Sequence, residues 1–127
     1  MKLAILVPTF NSLETLKTLI GQVFKYTDGN FKLYVIEDGV NKKTVEYLKA
    51  IRKRKYKAIF HKNNMGITYS WNEGIRQGIK DRCTHFAVLN DDIELVKDWW
   101  NICQKEFEGN THMVYLNHPS PIDFTGW

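Results

Sequence analysis

The chain alternates short apolar runs with segments of helical period, and this alternation limits the fold more than any other feature of the sequence. Strand-length runs occupy residues 2–8 (KLAILVP), 31–37 (FKLYVIE), 57–62 (KAIFHK) and 84–90 (THFAVLN). Each run is followed by a segment with apolar residues at helical intervals. Such an alternation favours a mostly parallel sheet with helices on its faces. We therefore predict an α/β chain that forms a single three-layer α/β/α domain over residues 1–127.

The predicted helices rest on four apolar stripes, and the third of these includes Trp71, which we assign to the core. Asn11 or Ser12 would cap the first helix, because Asn11 and Glu14 have the spacing of a capping box. A fifth strand is predicted for residues 112–117 (HMVYLN). The stripes consist of Leu13, Leu16, Ile20 and Val23; of Val45, Leu48 and Ile51; of Ile67, Trp71, Ile75 and Ile79; and of Val96, Trp99, Cys103 and Phe107.

Composition and charge exclude several classes of protein. With 43% hydrophobic and 25% charged residues, the chain is globular rather than disordered. The longest apolar run near the start, residues 3–7, is too short for a membrane span or a secretory signal. Cys83 and Cys103 form no CxxC pair, which favours reduced buried thiols and a cytoplasmic protein, although a single disulfide is an alternative. The net charge of +4 favours anionic ligands in general.

Polar side chains follow the predicted strands at the points where the strands end. The four endings are residues 8–11 (PTFN), 37–39 (EDG), 61–66 (HKNNMG) and 90–92 (NDD). Because ligands of open parallel sheets bind outside the carboxyl ends of the strands, these endings should be considered together. Three of the four bring side-chain acceptors. The sequence therefore predicts a ligand site at this edge of the sheet.

Two features of this edge have competing interpretations. Adjacent Asp91 and Asp92 suit a hard divalent cation such as Mg²⁺ or Mn²⁺, with one carboxylate on the ion and its neighbour on the ligand. The alternative, which spacing alone favours slightly, is a solvated pair in which Asp92 caps the next helix. Asp38 would accept from a base N–H or a ribose hydroxyl, or would simply form an Asp-Gly turn. The sequence contains neither GxGxxG nor GxxxxGK[ST], so the dinucleotide fingerprint and the P-loop are excluded.

Four motifs in order, within residues 3–93, resemble those of family-two glycosyltransferases with the GT-A fold. The motifs are LVPTFN, VIEDGV, NNMGITYSWNEGI and LNDDI, the last similar to the DxD-type metal motif. The resemblance implies a donor-binding core over residues 1–93. Residues 94–127 would be a remainder in which the acceptor part is short or missing, so that the fold is a truncated GT-A domain.

The resemblance also implies roles for individual residues. Pro8 and Thr9 would line the base pocket, and Asp38 would contact the base, at a uracil-type N–H. Asp91 would contact the ribose or the sugar, and Asp92 would coordinate a Mn²⁺ or Mg²⁺ ion that bridges the diphosphate. Further nucleotide-sugar-binding positions are Asn11, Asn64, Gly66, Asn72 and Asn90.

The implied reaction is metal-dependent transfer of a sugar, with inversion, from a nucleoside diphosphate sugar. A UDP-sugar is the favoured donor, and the acceptor is an unknown saccharide, lipid or protein. The catalytic residue stays unassigned, because Asp123 is a base by type only and we expect it not to serve. The family commonly has Arg where this chain has Trp71, and Lys62 or Arg76 would have to replace its contact with phosphate.

Two other functions remain open. A nucleotide-sugar-binding module without turnover would explain the few residues that follow Asp92. A nucleic-acid-binding domain is suggested by the basic run RKRKYK, residues 52–57, but a solvated helix end explains that run better, and we expect no nucleic-acid partner. We expect His61 to lie at the surface. Of Trp99 and Trp100, one should pack in the core, and packing is also the better explanation for the other.

Overall fold

The structure, a computed structural model, describes residues 1–39, 41–109 and 112–113. It confirms an α/β fold with a sheet in which the four described strands are all parallel. The elements in chain order are β1 (Leu3–Thr9), α1 (Leu13–Tyr26), β2 (Phe31–Glu37), α2 (Lys42–Ala50), β3 (Tyr56–Phe60), α3 (Ile67–Lys80), β4 (His85–Val88) and α4 (Trp99–Glu106).

The strand order β3-β2-β1-β4 positions the helices and the site. From β1 the chain steps to β2 and then to β3 on one side, and α3 carries it back across the sheet to β4 on the other side of β1. Right-handed crossovers place α1 and α2 on one face and α3 on the opposite face. The direction of winding therefore changes between β1 and β4, which is where open sheets of this kind bind ligands.

The residues of β1 alternate between two cores of unequal size. Leu3, Ile5 and Val7 face the larger core, which includes α1, Leu48 of α2 and the buried residues of α4. Ala4 and Leu6 face the smaller core beneath α3. Because β1 is buried along its whole length, its sequence is a nearly continuous apolar run rather than an alternation of apolar and polar residues.

The buried face of α3 differs from the predicted stripe. Ser70, Gly74 and Gly78 are buried, whereas Ile67 and Ile79 are 51% and 61% exposed. A Cβ on Gly78 would lie 2.6 Å from the Phe86 ring and 3.1 Å from the Ala4 Cβ, so a larger residue would force the ring to move. The prediction was wrong because it counted large apolar residues, whereas this contact is made by small ones. Trp71, assigned to the core, is only partly buried.

The capping box predicted for α1 is absent. Ser12 occupies the N-cap without a side-chain hydrogen bond, and Asn11 adopts a left-handed conformation with φ of 54°. The Asn11 Oδ1 accepts a hydrogen bond of 3.2 Å from Asn41. Asn41 itself caps α2, because its Oδ1 accepts from the Thr44 amide at 3.0 Å. Asn11 is therefore tied to the next loop rather than to its own helix.

The fourth helix begins later than its apolar stripe suggested. Its N-cap is Asp98, so Asp92 does not cap it, and Val96 is 65% exposed. Trp99 and Trp100 are both buried, and the Trp99 indole donates to Thr27 Oγ1 at 3.0 Å. Packing therefore accounts for both tryptophans.

Three further expectations concern the chain as a whole. Cys83 and Cys103 are buried free thiols, as predicted. The strand predicted for residues 112–117 falls outside the described residues, apart from His112 and Met113. No helix in the described ranges has the length and apolar character needed to span a membrane.

Candidate functional site

A cavity of about 380 Å³ opens at the carboxyl ends of β1, β2 and β4, beside the start of α3. Its volume lies in the range typical of sites for small molecules. Eight of the ten residues that the sequence assigned to donor or metal binding line it. The lining consists of Pro8, Thr9, Phe10, Ser12, Asp38, Asn64, Gly66, Ile67, Ser70, Asn90, Asp91 and Asp92.

The adjacent carboxylates after β4 have different environments. Asp91 is partly buried, and its Oδ2 accepts a hydrogen bond of 2.8 Å from Thr9 Oγ1 at the end of β1. Asp92 is exposed to the cavity. Thr9 thus holds Asp91 against the sheet while its neighbour stays accessible. Because β4 ends at Val88, the two carboxylates lie in a turn, and strand alternation does not account for their different directions.

Asp38, on the β2 side of the cavity, is held by three donors. Its Oδ1 accepts from the Met65 amide at 2.8 Å and lies 2.9 Å from His61 Nδ1, and its Oδ2 accepts from the Gly66 amide at 2.9 Å. Gly66 has φ of 92°, a conformation that other residues rarely adopt, and it turns the chain from this loop into α3. Asp38 therefore fixes the loop of residues 61–66 as well as facing the cavity.

The Asp38 carboxylate is ionised in this setting. Burial by itself raises its pKa, but hydrogen bonds from His61 and from the Met65 and Gly66 amides outweigh burial and lower that pKa below its ordinary value. The side chains of Asp38 and His61 are only 8% and 7% exposed. The expectation of a surface histidine was therefore wrong, because a position at the end of an edge strand does not reveal a buried partner from the neighbouring strand.

Glu37 lies directly behind the cavity and is fully buried. Neither of its carboxylate oxygens has a hydrogen-bond partner among the described residues. Burial, followed by the nearby charges of Asp38 and Asp91, raises the pKa of Glu37 to about 7. The Gly39 and Asn41 amides, which lie near the carboxylate without full hydrogen-bond geometry, offset this only partly. The site thus concentrates negative charge, which a cationic or metal-bound ligand would relieve.

The donor set fits a hard divalent ion that is shared with a ligand. The carboxylates of Asp91 and Asp92 and the amide oxygen of Asn90 are the kind of ligand that Mg²⁺ and Mn²⁺ prefer. In the described part of the chain, no group of three or more His, Cys, Asp or Glu side chains is arranged to enclose a metal ion. A divalent ion held here would therefore have few carboxylate ligands, as in sites where Mg²⁺ keeps waters and binds substrate phosphates.

Two apolar side chains that the sequence had not assigned line part of the cavity. Phe10 and Ile67 are 48% and 51% exposed. The ring of Phe10 lies over Gly39, only 2.9 Å from where a Cβ on that residue would be. The aromatic position of the PTFN motif was the available signal for Phe10. Ser12, Ile67 and Ser70, which also line the cavity, carried no distinguishing signal.

Other predicted residues do not line the cavity. Asn11 pairs with Asn41, and Asn72 is an exposed residue of α3. Lys62 and Arg76, the suggested substitutes for the missing arginine, are exposed and also lie outside the lining. The basic run at residues 52–57 follows α2 and includes the first two residues of β3, so it lies at the amino ends of the strands, away from the cavity.

Comparisons with known proteins agree with this geometry. The sequence model described as glycosyl transferase family 2 matches residues 4–126. Uncharacterized glycosyltransferases of Rickettsia felis and Rickettsia bellii are 29% and 31% identical over 109 and 91 residues. These alignments cover 86% and 72% of this chain but only 18% and 13% of the relatives.

A solved structure shares the fold. The crystal structure of S. aureus TarS 1-349 superposes with a TM-score of 0.70 at 19% identity, over 84% of this chain and 32% of that one. At this identity the likeness concerns the fold alone, and it confirms the expected GT-A type. The chain thus spans less than a third of the TarS fragment and less than a fifth of the two rickettsial relatives.

Proposed function

The chain belongs to glycosyl transferase family 2, and on that premise we propose that it binds the donor of a metal-dependent, inverting transfer of a sugar from a nucleoside diphosphate sugar. The observation that carries the proposal is the single cavity lined by Asp38 on one side and by Asp91 and Asp92 on the other. Separate strands supply these carboxylates, so one cavity offers a hydrogen-bond acceptor for a base and oxygen ligands for a metal ion.

Recognition of a uracil base is supported by the acceptor that Asp38 keeps free. A carboxylate has about four lone-pair sites. His61 and Met65 use both sites of Oδ1, and Gly66 uses one site of Oδ2. The remaining site suits one N–H donor, such as N3–H of uracil. Phe10 would cover the base, and Pro8 and Thr9 would line the pocket around it.

The diphosphate and the sugar would lie toward the end of β4. Asp92 would hold Mn²⁺ or Mg²⁺, and Asp91, fixed by Thr9, would contact the ribose or the sugar. A bound divalent ion supplies neutralisation of the charge that develops on the departing diphosphate. The acceptor would be a saccharide, a lipid or a protein. Since both cysteines are free thiols, we also infer a cytoplasmic location.

Thermal unfolding with UDP in the presence and absence of MnCl₂ tests the proposal. We expect UDP with Mn²⁺ to raise Tm by several degrees and UDP alone to raise it much less, because a ligand that binds only the native state stabilises it by mass action. Asp92→Asn should weaken the Mn²⁺-dependent binding of UDP at least tenfold in calorimetric titrations. The matched control is Asp98→Asn, which makes the same change outside the cavity, at a left-handed residue where Asn is well tolerated.

The outcomes separate the parts of the proposal. If the parent protein binds no nucleoside diphosphate with either metal, donor binding is wrong. If Asp92→Asn binds UDP and Mn²⁺ as tightly as Asp98→Asn does, the metal assignment is wrong while donor binding stands.

A second candidate function is donor binding without turnover. The cavity lining in the described residues contains three carboxylates, all assigned to the donor or its metal, and no histidine or lysine that would deprotonate an acceptor. A protein of this kind would bind UDP-sugars but release no UDP. Measurement of UDP release from UDP-glucose and UDP-N-acetylglucosamine, with water as the simplest acceptor, distinguishes the two functions.

A further inference from the structure

His61 lies between two carboxylates at the edge of the cavity. Its Nδ1 is 2.9 Å from Asp38 Oδ1, and its Nε2 is 3.9 Å from Glu73 Oε2 on α3. The Tyr69 ring meets the imidazole edge to face, with ring centroids 5.2 Å apart. The imidazole is thus enclosed by groups from β2 and α3, so its orientation is fixed on two sides.

The contact between His61 and Asp38 determines which acceptor sites of the carboxylate remain free. A neutral or protonated imidazole can donate from Nδ1, and both Oδ1 sites are then taken by His61 and Met65. Without the histidine, one site of Oδ1 would be free as well, and the two amides alone would hold the carboxylate. A base could then approach the carboxylate in more than one direction, and the contact at Oδ2 would no longer be the only one offered.

We propose that His61 is a positioning residue for base specificity, which holds the Asp38 carboxylate as an ionised, oriented acceptor for a base N–H. This inference rests on the proposed function, and it adds the reason for discrimination between bases. An ionised carboxylate only accepts hydrogen bonds. Uracil presents a donor at N3, whereas cytosine presents an acceptor there, which would face the carboxylate lone pairs. The site therefore selects UDP over CDP, and His61 maintains that selection.

The test measures the dissociation constants of UDP and CDP, both with MnCl₂, for the full chain and its variants. We expect the parent to prefer UDP at least tenfold. His61→Leu removes the donor and should reduce the preference to threefold or less, mainly by weakening the binding of UDP. His61→Asn should restore the preference to within threefold of the parent, because the Asn amide can donate from about the position of Nδ1.

A matched control makes the same substitution elsewhere. His85→Leu replaces a partly buried histidine that packs on Trp100 and Phe107, away from the cavity. It should retain the parental preference. The ratio of the two dissociation constants within one variant is unaffected by the fraction of protein that is folded, so loss of stability in His61→Leu does not obscure the result.

The inference is overturned if His61→Leu keeps the parental preference for UDP, or if His61→Asn fails to restore a preference that His61→Leu has lost. A parent that binds UDP and CDP equally well overturns the inference but leaves donor binding intact. A parent that binds neither nucleotide overturns the proposed function and this inference with it.

Discussion

Asp38 lies where the strands end, which we call the carboxyl edge of the sheet, and Asp81 lies where they begin, the amino edge. The pKa values of both carboxylates are lowered, but by different partners. At the amino edge, Asp81 Oδ2 accepts a 2.6 Å hydrogen bond from Tyr34 and one of 3.0 Å from Lys32. The Tyr34 hydrogen bond is the main cause of its lowered pKa, followed by that of Lys32. At the carboxyl edge, Asp38 depends on two backbone amides and a histidine.

The difference separates a structural carboxylate from one available to a ligand. Asp81 forms a salt bridge with Lys32, so little of its charge is unbalanced. At the cavity, Glu37, Asp91 and Asp92 form no salt bridge with a lysine or arginine among the described residues. Charge that is unbalanced in the free protein costs stability, and a cationic ligand recovers that cost on binding. The carboxyl edge therefore carries unbalanced charge that a ligand can neutralise, whereas the charge at the amino edge is already balanced within the protein.

Alanine substitutions of Asp38 and Asp81 should give the largest loss of stability, and the losses should differ between the two edges. Asp38→Ala leaves two amides and the buried His61 without an acceptor, and we expect a loss of about 3 kcal/mol. Asp81→Ala leaves Tyr34 and a partly exposed Lys32, to which water has access, and should cost about 2 kcal/mol. Urea unfolding at pH 5.5, where Glu37 is mostly protonated in the folded state, measures both. Equal losses would mean that the two edges do not differ in this way.

Glu37→Gln should sharpen the comparison through its dependence on pH. The pKa of Glu37 is about 7 in the folded protein and lies near 4.5 when the chain is unfolded, so the folded state binds the extra proton between these values. Stability of the parent therefore falls as pH rises from 4.5 to about 7. Glutamine stays neutral, so the stability of the variant relative to the parent should increase by about 2 kcal/mol between pH 5 and pH 8.

Urea unfolding at the two pH values checks this expectation. Glu46→Gln, on the exposed surface of α2, is the matched control and should show no comparable change. A constant difference between Glu37→Gln and the parent across this range would contradict the raised pKa.

Tyr34→Phe should produce the smallest effect, about 1 kcal/mol at pH 7, because it removes one hydrogen bond to a carboxylate that keeps Lys32. The pKa of Asp81 should rise toward its ordinary value, since the Tyr34 hydrogen bond is the main cause of its lowering. The stability that a lowered pKa provides is lost as pH falls, so the difference between variant and parent should shrink below pH 3.8. A pH titration of Asp81 followed by NMR measures the change in its pKa directly.

The sequence predicted the fold well because its apolar periods are strong. The second strand has the predicted bounds, residues 31–37, and the order of the four described strands and helices is as expected. The face of α3 was not predictable in this way, because Gly74 and Gly78 are buried by close approach and not by hydrophobicity. Asn11 likewise had cap spacing but bonds to a residue thirty positions away.

For the candidate site, the strand endings predicted which residues lie together, because parallel topology alone brings Thr9, Asp38 and Asp92 to one edge. Contacts between those residues were not predictable. The pairing of His61 with Asp38 depends on the register between β2 and β3, in which Glu37 lies opposite Phe60. Sequence periodicity carries no information on register between separate strands.

The strand order has a consequence for how the ligand specificity of such a protein can change by substitution. Loops after β2 and β3 surround one end of the cavity, and the segment after β4 surrounds the other, with β1 between them. Under the proposed function, substitutions at one end would alter the choice of nucleotide, and substitutions at the other would alter the choice of sugar. The two choices can therefore diverge independently, on a scaffold whose buried centre stays the same.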